Sequence, residues 1–276
     1  IGTPHLLQVS GIGDADYLKS IGIDPLYEIK NVGEGLQDHY AVRVANKINL
    51  PISLNEKARG YKLFVEIMKW FILKKGLISY SPAHVGAFLK SSSEIDFPDL
   101  QFVFTPASYT EGMIGKLQEV PGITCGVWQS RPLSRGYVRA LSQNIKDAPI
   151  IQPNYLKEKT DQDVLVSGFK MCRALLKTSN MDKISVGETL PGQNIQTDEE
   201  ILNYLRNNGA TVYHAIGSCR MGIDDYAVVT PSLKIKGLSN IRIADASIMP
   251  SMPSGNTNAA TLMIAEKASD IIKKEL

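Results

Sequence analysis

Pro121-Gly122-Ile123-Thr124-Cys125-Gly126-Val127-Trp128-Gln129-Ser130 holds a strand-like run, Gly122 to Gln129, closed by proline on one side and serine on the other. Asp99 to Phe104 and Gly136 to Leu141 read the same way. All three alternate imperfectly between apolar and polar residues, the pattern of an antiparallel sheet with one buried face. Outward from this sheet lie helices. Tyr61 to Lys74 carries Leu63, Phe64, Ile67, Met68, Phe71 and Ile72 at helical spacing, then ends in Lys74-Lys75-Gly76, a cationic last turn with a glycine stop. Asp161 to Lys177 is a second amphipathic helix, and Thr197-Asp198-Glu199-Glu200 is a capping-box opening for a third, which runs to Arg206 and stops near Gly209. Strands and helices mix without regular βαβ alternation, so the fold class is α+β, an antiparallel sheet with covering helices.

The two ends look different. Pro4 to Gly13 reads as a short helix stopped by glycine, and Asp14 to Ile21 as another ended at Gly22. Asn31-Val32-Gly33-Glu34-Gly35-Leu36-Gln37-Asp38-His39 is a polar, glycine-punctuated connection from which a strand leaves over Tyr40 to Asn49. Ile241 to Ala244 reads as a short buried strand, and Thr257 to Leu276 as a closing helix capped by Asn256 or Thr257.

A chain of 276 residues with 43% hydrophobic content can bury one large core or two smaller ones. Its 30 basic and 28 acidic residues nearly cancel, so neither nucleic acid nor a membrane surface is suggested; a small molecule is the expected partner. Cys125, Cys172 and Cys219 lack the paired spacing of zinc sites or redox dithiols, so no metal site is expected and a reducing, cytoplasmic setting fits best. The most apolar stretch, Phe64 to Leu73, is broken by Glu66 and Lys69 and falls short of the ~20 apolar residues that span a bilayer. The first residue is Ile1, and the chain opens without a leader, as a piece of something longer would.

Four histidines are present, and proton transfer near neutral pH falls most often to histidine. His5 reads as a surface or packing residue, and His84 as the start of a strand after a loop. His39 follows Asp38, where an Asp-His pair either orients a ring or merely holds a loop. His214 sits in Thr211-Val212-Tyr213-His214-Ala215-Ile216-Gly217-Ser218-Cys219-Arg220-Met221-Gly222. Small residues there let the backbone approach a planar ligand, although a core histidine in a glycine-rich turn has the same look. Ile241-Arg242-Ile243-Ala244-Asp245-Ala246-Ser247 places an acidic residue after the expected strand, suited to a hydroxyl or a phosphate, or simply to a turn. Ser254 to Thr261 opens the last helix with free N–H groups and a partial positive charge, a place for an anion or for an ordinary cap.

Each signal alone is common; their order is specific. A histidine-glycine stretch, then Asp-Ala, then a loop and a long helix resembles the final third of the glucose-methanol-choline (GMC) oxidoreductases. Ile1 to Gly13 resembles the latter part of that family's second signature. Asn31 to His39 resembles its Asn-Leu-Gln-Asp-His stretch, with Gly35 in place of the usual Asn, and Ser130 to Gly136 matches in the middle. The resemblance implies an FAD-dependent alcohol oxidoreductase, similar to bacterial choline and alcohol dehydrogenases. His214 and Asn258 would be the catalytic pair, with Asp245, Ala246, Asn258, Ala259 and Ala260 against the cofactor. Residues 1–39 and 207–276 would be segments of an FAD-binding, Rossmann-like domain, and 40–206 the substrate-binding layer. The substrate would be a primary alcohol, choline among the candidates, and the electron acceptor a quinone or oxygen. The family's Gly-x-Gly-x-x-Gly fingerprint appears nowhere in these residues, so an N-terminal half would have to supply it. Two other readings stay open: a hydroxynitrile-lyase-type flavoprotein, and a non-catalytic piece without the dinucleotide-binding half.

Overall fold

In a computed structural model, residues 1–81, 83–110 and 116–275 are described. The helices are α1 (Gly2–Val9), α2 (Ala15–Ser20), α3 (Leu54–Lys57), α4 (Gly60–Leu73), α5 (Lys159–Leu176), α6 (Ser179–Asp182), α7 (Asp198–Asn208) and α8 (Asn258–Glu275). The strands used below are β1 (Ile12–Gly13), β2 (Tyr27–Glu28), β3 (Glu34–Leu36), β4 (Tyr40–Ile48), β5 (Val85–Leu89), β6 (Leu100–Thr105), β7 (Gly122–Gln129), β8 (Gly136–Arg139), β9 (Ile150–Gln152) and β10 (Ser185–Leu190). The fold is thus mixed helix and antiparallel sheet. The last position of the expected closing helix, Leu276, lies outside the described residues.

The chain divides into two compact units. The first gathers residues 1–39, 130–161 and 211–276, and the second 40–129 and 162–210. Residues 130–161 therefore pack with the chain ends rather than with the 40–206 layer expected from sequence. The cause is strand pairing: β8 lies between β3 and β9 in an antiparallel sheet.

The second unit is built on an antiparallel sheet with strand order β10-β4-β7-β6-β5. Every residue of the central β7 is buried, on both faces. This departs from the one-faced sheet expected, and it explains the imperfect alternation, because a strand covered on both sides has no face that must be polar. Gly168 lets α5 lie close on the sheet, since a Cβ there would come within 2.9 Å of the side chains of Leu100 and Val127. Phe169 beside it is fully buried. The ends of the helices follow their capping residues. Lys74 ends α4 in the left-handed region at φ 53°, and Thr197 with Glu200 forms the reciprocal capping box of α7.

The core of the first unit joins Leu7, Val32, Cys219, Val228, Ile235, Ile248 and Ala268, residues drawn from both ends of the chain. The strand expected over Ile241 to Ala244 does not form. Ile243 is buried there, but Ile241 is largely exposed, and the segment's pairing is a single bridge from Lys234 to Arg242. One bridge to a neighbouring turn gives no continuous ladder.

Candidate active site

Backbone hydrogen bonds draw the separate motifs of the first unit together. Gln37 and Ile216 exchange both of their backbone bonds at 3.0 and 2.9 Å, Gly33 N–H donates to the Ser218 carbonyl at 2.8 Å, and Val212 N–H donates to the His39 carbonyl at 3.2 Å. The polar stretch after Asn31 thus runs antiparallel to the histidine stretch. On its other side, Cys219 and Met221 donate to the carbonyls of Ser247 and Ile248, each at 2.8 Å. Ile216, Met249 and Met252 form a buried cluster, against which Ala246, Ala260 and Ile264 pack, and this brings in the first turns of α8.

Two glycines make the close approach possible. Gly33 has φ +93°, and a Cβ on it would fall 2.1 Å from the Val138 carbonyl oxygen. Gly35, where the family pattern has Asn, has φ +81°, and a Cβ on it would make only ordinary contact, 3.5 Å from the Gly217 carbonyl oxygen. Left-handed backbone suits Gly and Asn alike, so this substitution leaves the local conformation intact.

His214 lies at the centre. Its backbone N–H donates to Asp38 Oδ1 at 2.8 Å. Its Nδ1 meets His39 Nδ1 at 2.8 Å, with the two rings edge to face. Its Nε2 lies 3.2 Å from Asn256 Nδ2. His39 is fully buried, and its Nε2 faces the Ser130 carbonyl at 2.9 Å. Asp38 also accepts from Tyr155 Oη and Thr211 Oγ1, both at 2.5 Å. Burial lowers the pKa of both rings, to about 4 for His39, where it outweighs the opposing hydrogen bond to Ser130. For His214 it outweighs the opposing charge of Asp38. Burial thus favours the neutral form of both rings.

Asp245 sits at the end of the 241–245 segment as the cap of a short 3-10 turn, Ala246–Ile248. It accepts from Thr3 Oγ1 at 2.6 Å and from Ser247 N–H at 2.8 Å. Burial works to raise its pKa, but these hydrogen bonds hold the carboxyl below its usual value. Asn258, Ala259 and Ala260 form the first turn of α8 and are exposed or half-buried. The first backbone bond at this end is donated by Thr261 to the Thr257 carbonyl, so the N–H groups of the three preceding residues point out of the helix. The asparagine that meets His214 is Asn256, two residues before α8 begins. In the sequence Asp38 and His39 read as a ring-orienting pair or a loop holder, and Asn256 as a helix cap; their place beside His214, and that of Ser130, was not expected. The Asp38-His39 pairing was the one available signal.

Residues 132–265 match the family model described as GMC oxidoreductase. The chain carries the C-terminal domain of GMC oxidoreductases. A Pseudomonas putida alcohol dehydrogenase (acceptor) is 38% identical over 280 residues, which cover 100% of this chain and 50% of that protein. An oxygen-dependent choline dehydrogenase of Staphylococcus epidermidis is 37% identical, over 98% of this chain and 48% of that protein. The chain thus spans about half the length of the curated GMC relatives it matches. A formate oxidase of known structure superposes with a TM-score of 0.90 at 22% identity, covering 99% of this chain and 52% of that one. A pyridoxine 4-oxidase from Mesorbium loti gives 0.83 at 24%, over 98% and 49%. These two likenesses show the shared fold. Among the described residues, no helix is long and apolar enough to cross a membrane.

Proposed function

We propose that this chain is the C-terminal part of an FAD-dependent oxidoreductase that oxidises a primary alcohol, with His214 as the proton acceptor. The observation that carries the reading is the grip on His214. Its backbone is held by Asp38 and its ring by His39 and Asn256, and burial keeps that ring neutral and therefore basic. A base must be fixed in place and unprotonated at working pH, and the hydrogen bonds and the burial of His214 favour both.

The residues present fit the ring end of a flavin. The first turn of α8 offers outward N–H groups at Asn258, Ala259 and Ala260, and two of these residues are alanines whose small side chains leave the backbone approachable. Such a helix start suits a ring that becomes anionic when reduced. When bound, FAD would supply a hydride acceptor. His214 would take the hydroxyl proton, and Asn256 and Asn258 would hold the oxygen, an electrostatic aid to the alkoxide-like charge that develops as hydride leaves carbon. Asp245, already charged and fixed by Thr3 and Ser247, and Ala246 would border the ribityl-pyrophosphate region.

In this reading, residues 1–39 and 207–276, with 130–161 folded among them, belong to an FAD-binding domain completed by an N-terminal half that carries the glycine fingerprint. The sheet unit forms the substrate-binding layer. Choline-like and other primary alcohols are the candidate substrates, and a quinone or oxygen is the acceptor. A reducing, cytoplasmic setting fits cysteines that lack the sequence spacing of zinc sites or redox dithiols. The test is the absorbance spectrum of the protein made with its native upstream sequence, before and after anaerobic addition of primary alcohols including choline. Flavin bands that bleach in the wild type and persist in His214→Ala are the expected result. Bands that bleach equally in both would remove His214 from the proton step.

A further inference from the structure

We infer that His39 is a positioning residue that sets the tautomer of His214, directing the proton of that ring to Nδ1 and leaving Nε2 as its basic atom. The inference rests on the reading of His214 as the base and names the atom that acts.

The argument is one of donors and acceptors. The Ser130 carbonyl oxygen only accepts, so His39 Nε2, 2.9 Å away, carries a hydrogen. A neutral imidazole has one N–H, so His39 Nδ1 is then a lone pair. His214 Nδ1 lies 2.8 Å from that lone pair, a distance at which two bare nitrogens would repel, so the hydrogen between them belongs to His214. With its single N–H placed at Nδ1, neutral His214 presents a lone pair at Nε2. Asn256 Nδ2 stands 3.2 Å from that atom as a donor, the polarity the scheme requires. The alternative, a cationic His39 donating from both nitrogens, is opposed by burial, which pushes its pKa down to about 4. The result is a one-way series of hydrogen bonds from Asn256 through His214 and His39 to Ser130.

This series has a chemical consequence. When a substrate hydroxyl gives its proton to His214 Nε2, an O–H bond breaks, an N–H bond forms, and the ring becomes an imidazolium whose Nδ1–H already has an acceptor. The Ser130 carbonyl cannot pass a proton further, so the positive charge is held on the histidine pair until product leaves. A neutral buried ring does for His214 what a carboxylate does in other orienting pairs, without adding a negative charge.

The test uses the full-length protein, selectively 15N-labelled at histidine, with long-range proton-nitrogen spectra assigned through His214→Gln and His39→Gln. A His214 signal protonated at Nδ1 is expected; protonation at Nε2 in the wild type overturns the inference. In parallel, His39→Gln keeps an acceptor oxygen toward His214 and a donor toward Ser130, whereas His39→Leu keeps neither. Flavin reduction is expected to slow about 10- to 100-fold in His39→Leu, with the His214 proton redistributed to Nε2, and to stay within about threefold of wild type in His39→Gln. Equal losses in both variants would mean that His39 only fills space. Should either variant fail to fold, the wild-type spectrum still decides the tautomer. If His214→Ala leaves flavin reduction intact, the assignment of the base fails while the tautomer result stands separately.

Discussion

Asp38 and His39 hold opposite aspects of one residue: the Asp38 carboxylate accepts the His214 backbone N–H at 2.8 Å, while the His39 ring meets the His214 ring at 2.8 Å. The preceding residue, Tyr213, has φ 63°, unusual for a side chain of its size. The conformation persists because Asp38 receives the His214 N–H and Thr211 Oγ1 receives the Tyr213 N–H, also at 2.8 Å. Local strain is thereby exchanged for a fixed ring position.

Asp38→Ala is expected to lose about 3 kcal/mol of stability, because the Tyr155 hydroxyl, the Thr211 hydroxyl and the His214 N–H all lose their acceptor. Asp38→Asn, which keeps one acceptor oxygen, is expected to lose less. Denaturant unfolding of the full-length variants checks the ranking, and the reverse order would show that the carboxylate is not the hub of this network.

Flavin reduction should be fast at neutral pH and fall as pH drops, with an apparent pKa below 6.5, because burial holds the basic form of His214 to lower pH. Stability carries a related signature from His39. Unfolded, it titrates near 6.5; folded, near 4. Between those values the unfolded chain binds more protons, so the contribution of His39 is present above the window and is lost as pH falls through it, on the order of a few kcal/mol. Unfolding free energies between pH 7 and 4, compared with those of His39→Gln, would isolate this part. A wild-type slope no steeper than the variant's would remove it.

Gly33→Ala and Gly35→Asn should part company. Alanine at 33 meets a backbone oxygen at 2.1 Å with φ +93° and should cost on the order of 3 kcal/mol or more. Asparagine at 35 would meet the Gly217 carbonyl oxygen only at an ordinary 3.5 Å, at φ +81°, and should cost less than about 1 kcal/mol. Melting temperatures of the two variants decide, and similar large losses would mean that position 35 is constrained by more than its backbone.

In the sheet unit, Arg173 Nε and Nη2 reach the two oxygens of Glu188 at 2.9 and 2.7 Å, and both side chains are almost entirely buried. Removing one partner strands the other, so Arg173→Ala should lose about 3–5 kcal/mol. The double replacement Arg173→Met with Glu188→Leu should recover most of that loss. A double variant no better than the single one would show that the Arg173 bond to the Ile195 carbonyl, at 2.6 Å, is the more important contact.

The elements with strong local signals were legible in the sequence. The strand over Gly122 to Gln129 and the helices at Gly60–Leu73 and Asp198–Asn208 follow from apolar spacing and from caps contained in the same few residues. The strand at Ser185–Leu190 was not, because its pairing with β4 is interrupted by register shifts and it carries no clear alternation. Ile241 to Ala244 misled for the opposite reason: its composition suits a strand, but a strand exists only where a partner runs alongside it.

His214 was legible as a candidate from its glycine-rich setting and from the order of the motifs around it. Its partners were not. His39 is 175 positions away in the chain and Asn256 is 42 away, and no local pattern tells that two such rings meet at 2.8 Å. By itself the sequence determined the α+β class, the main helices and strands, and the ordered motifs of the family, since these depend on periodicity, capping and residue type over short spans. Only the tertiary structure decided which residues face His214 and which of its nitrogens each one meets, and that residues 130–161 join the chain ends. Those facts depend on long-range hydrogen bonds, whose partners are chosen by the packing of the whole unit and not by neighbours in the chain.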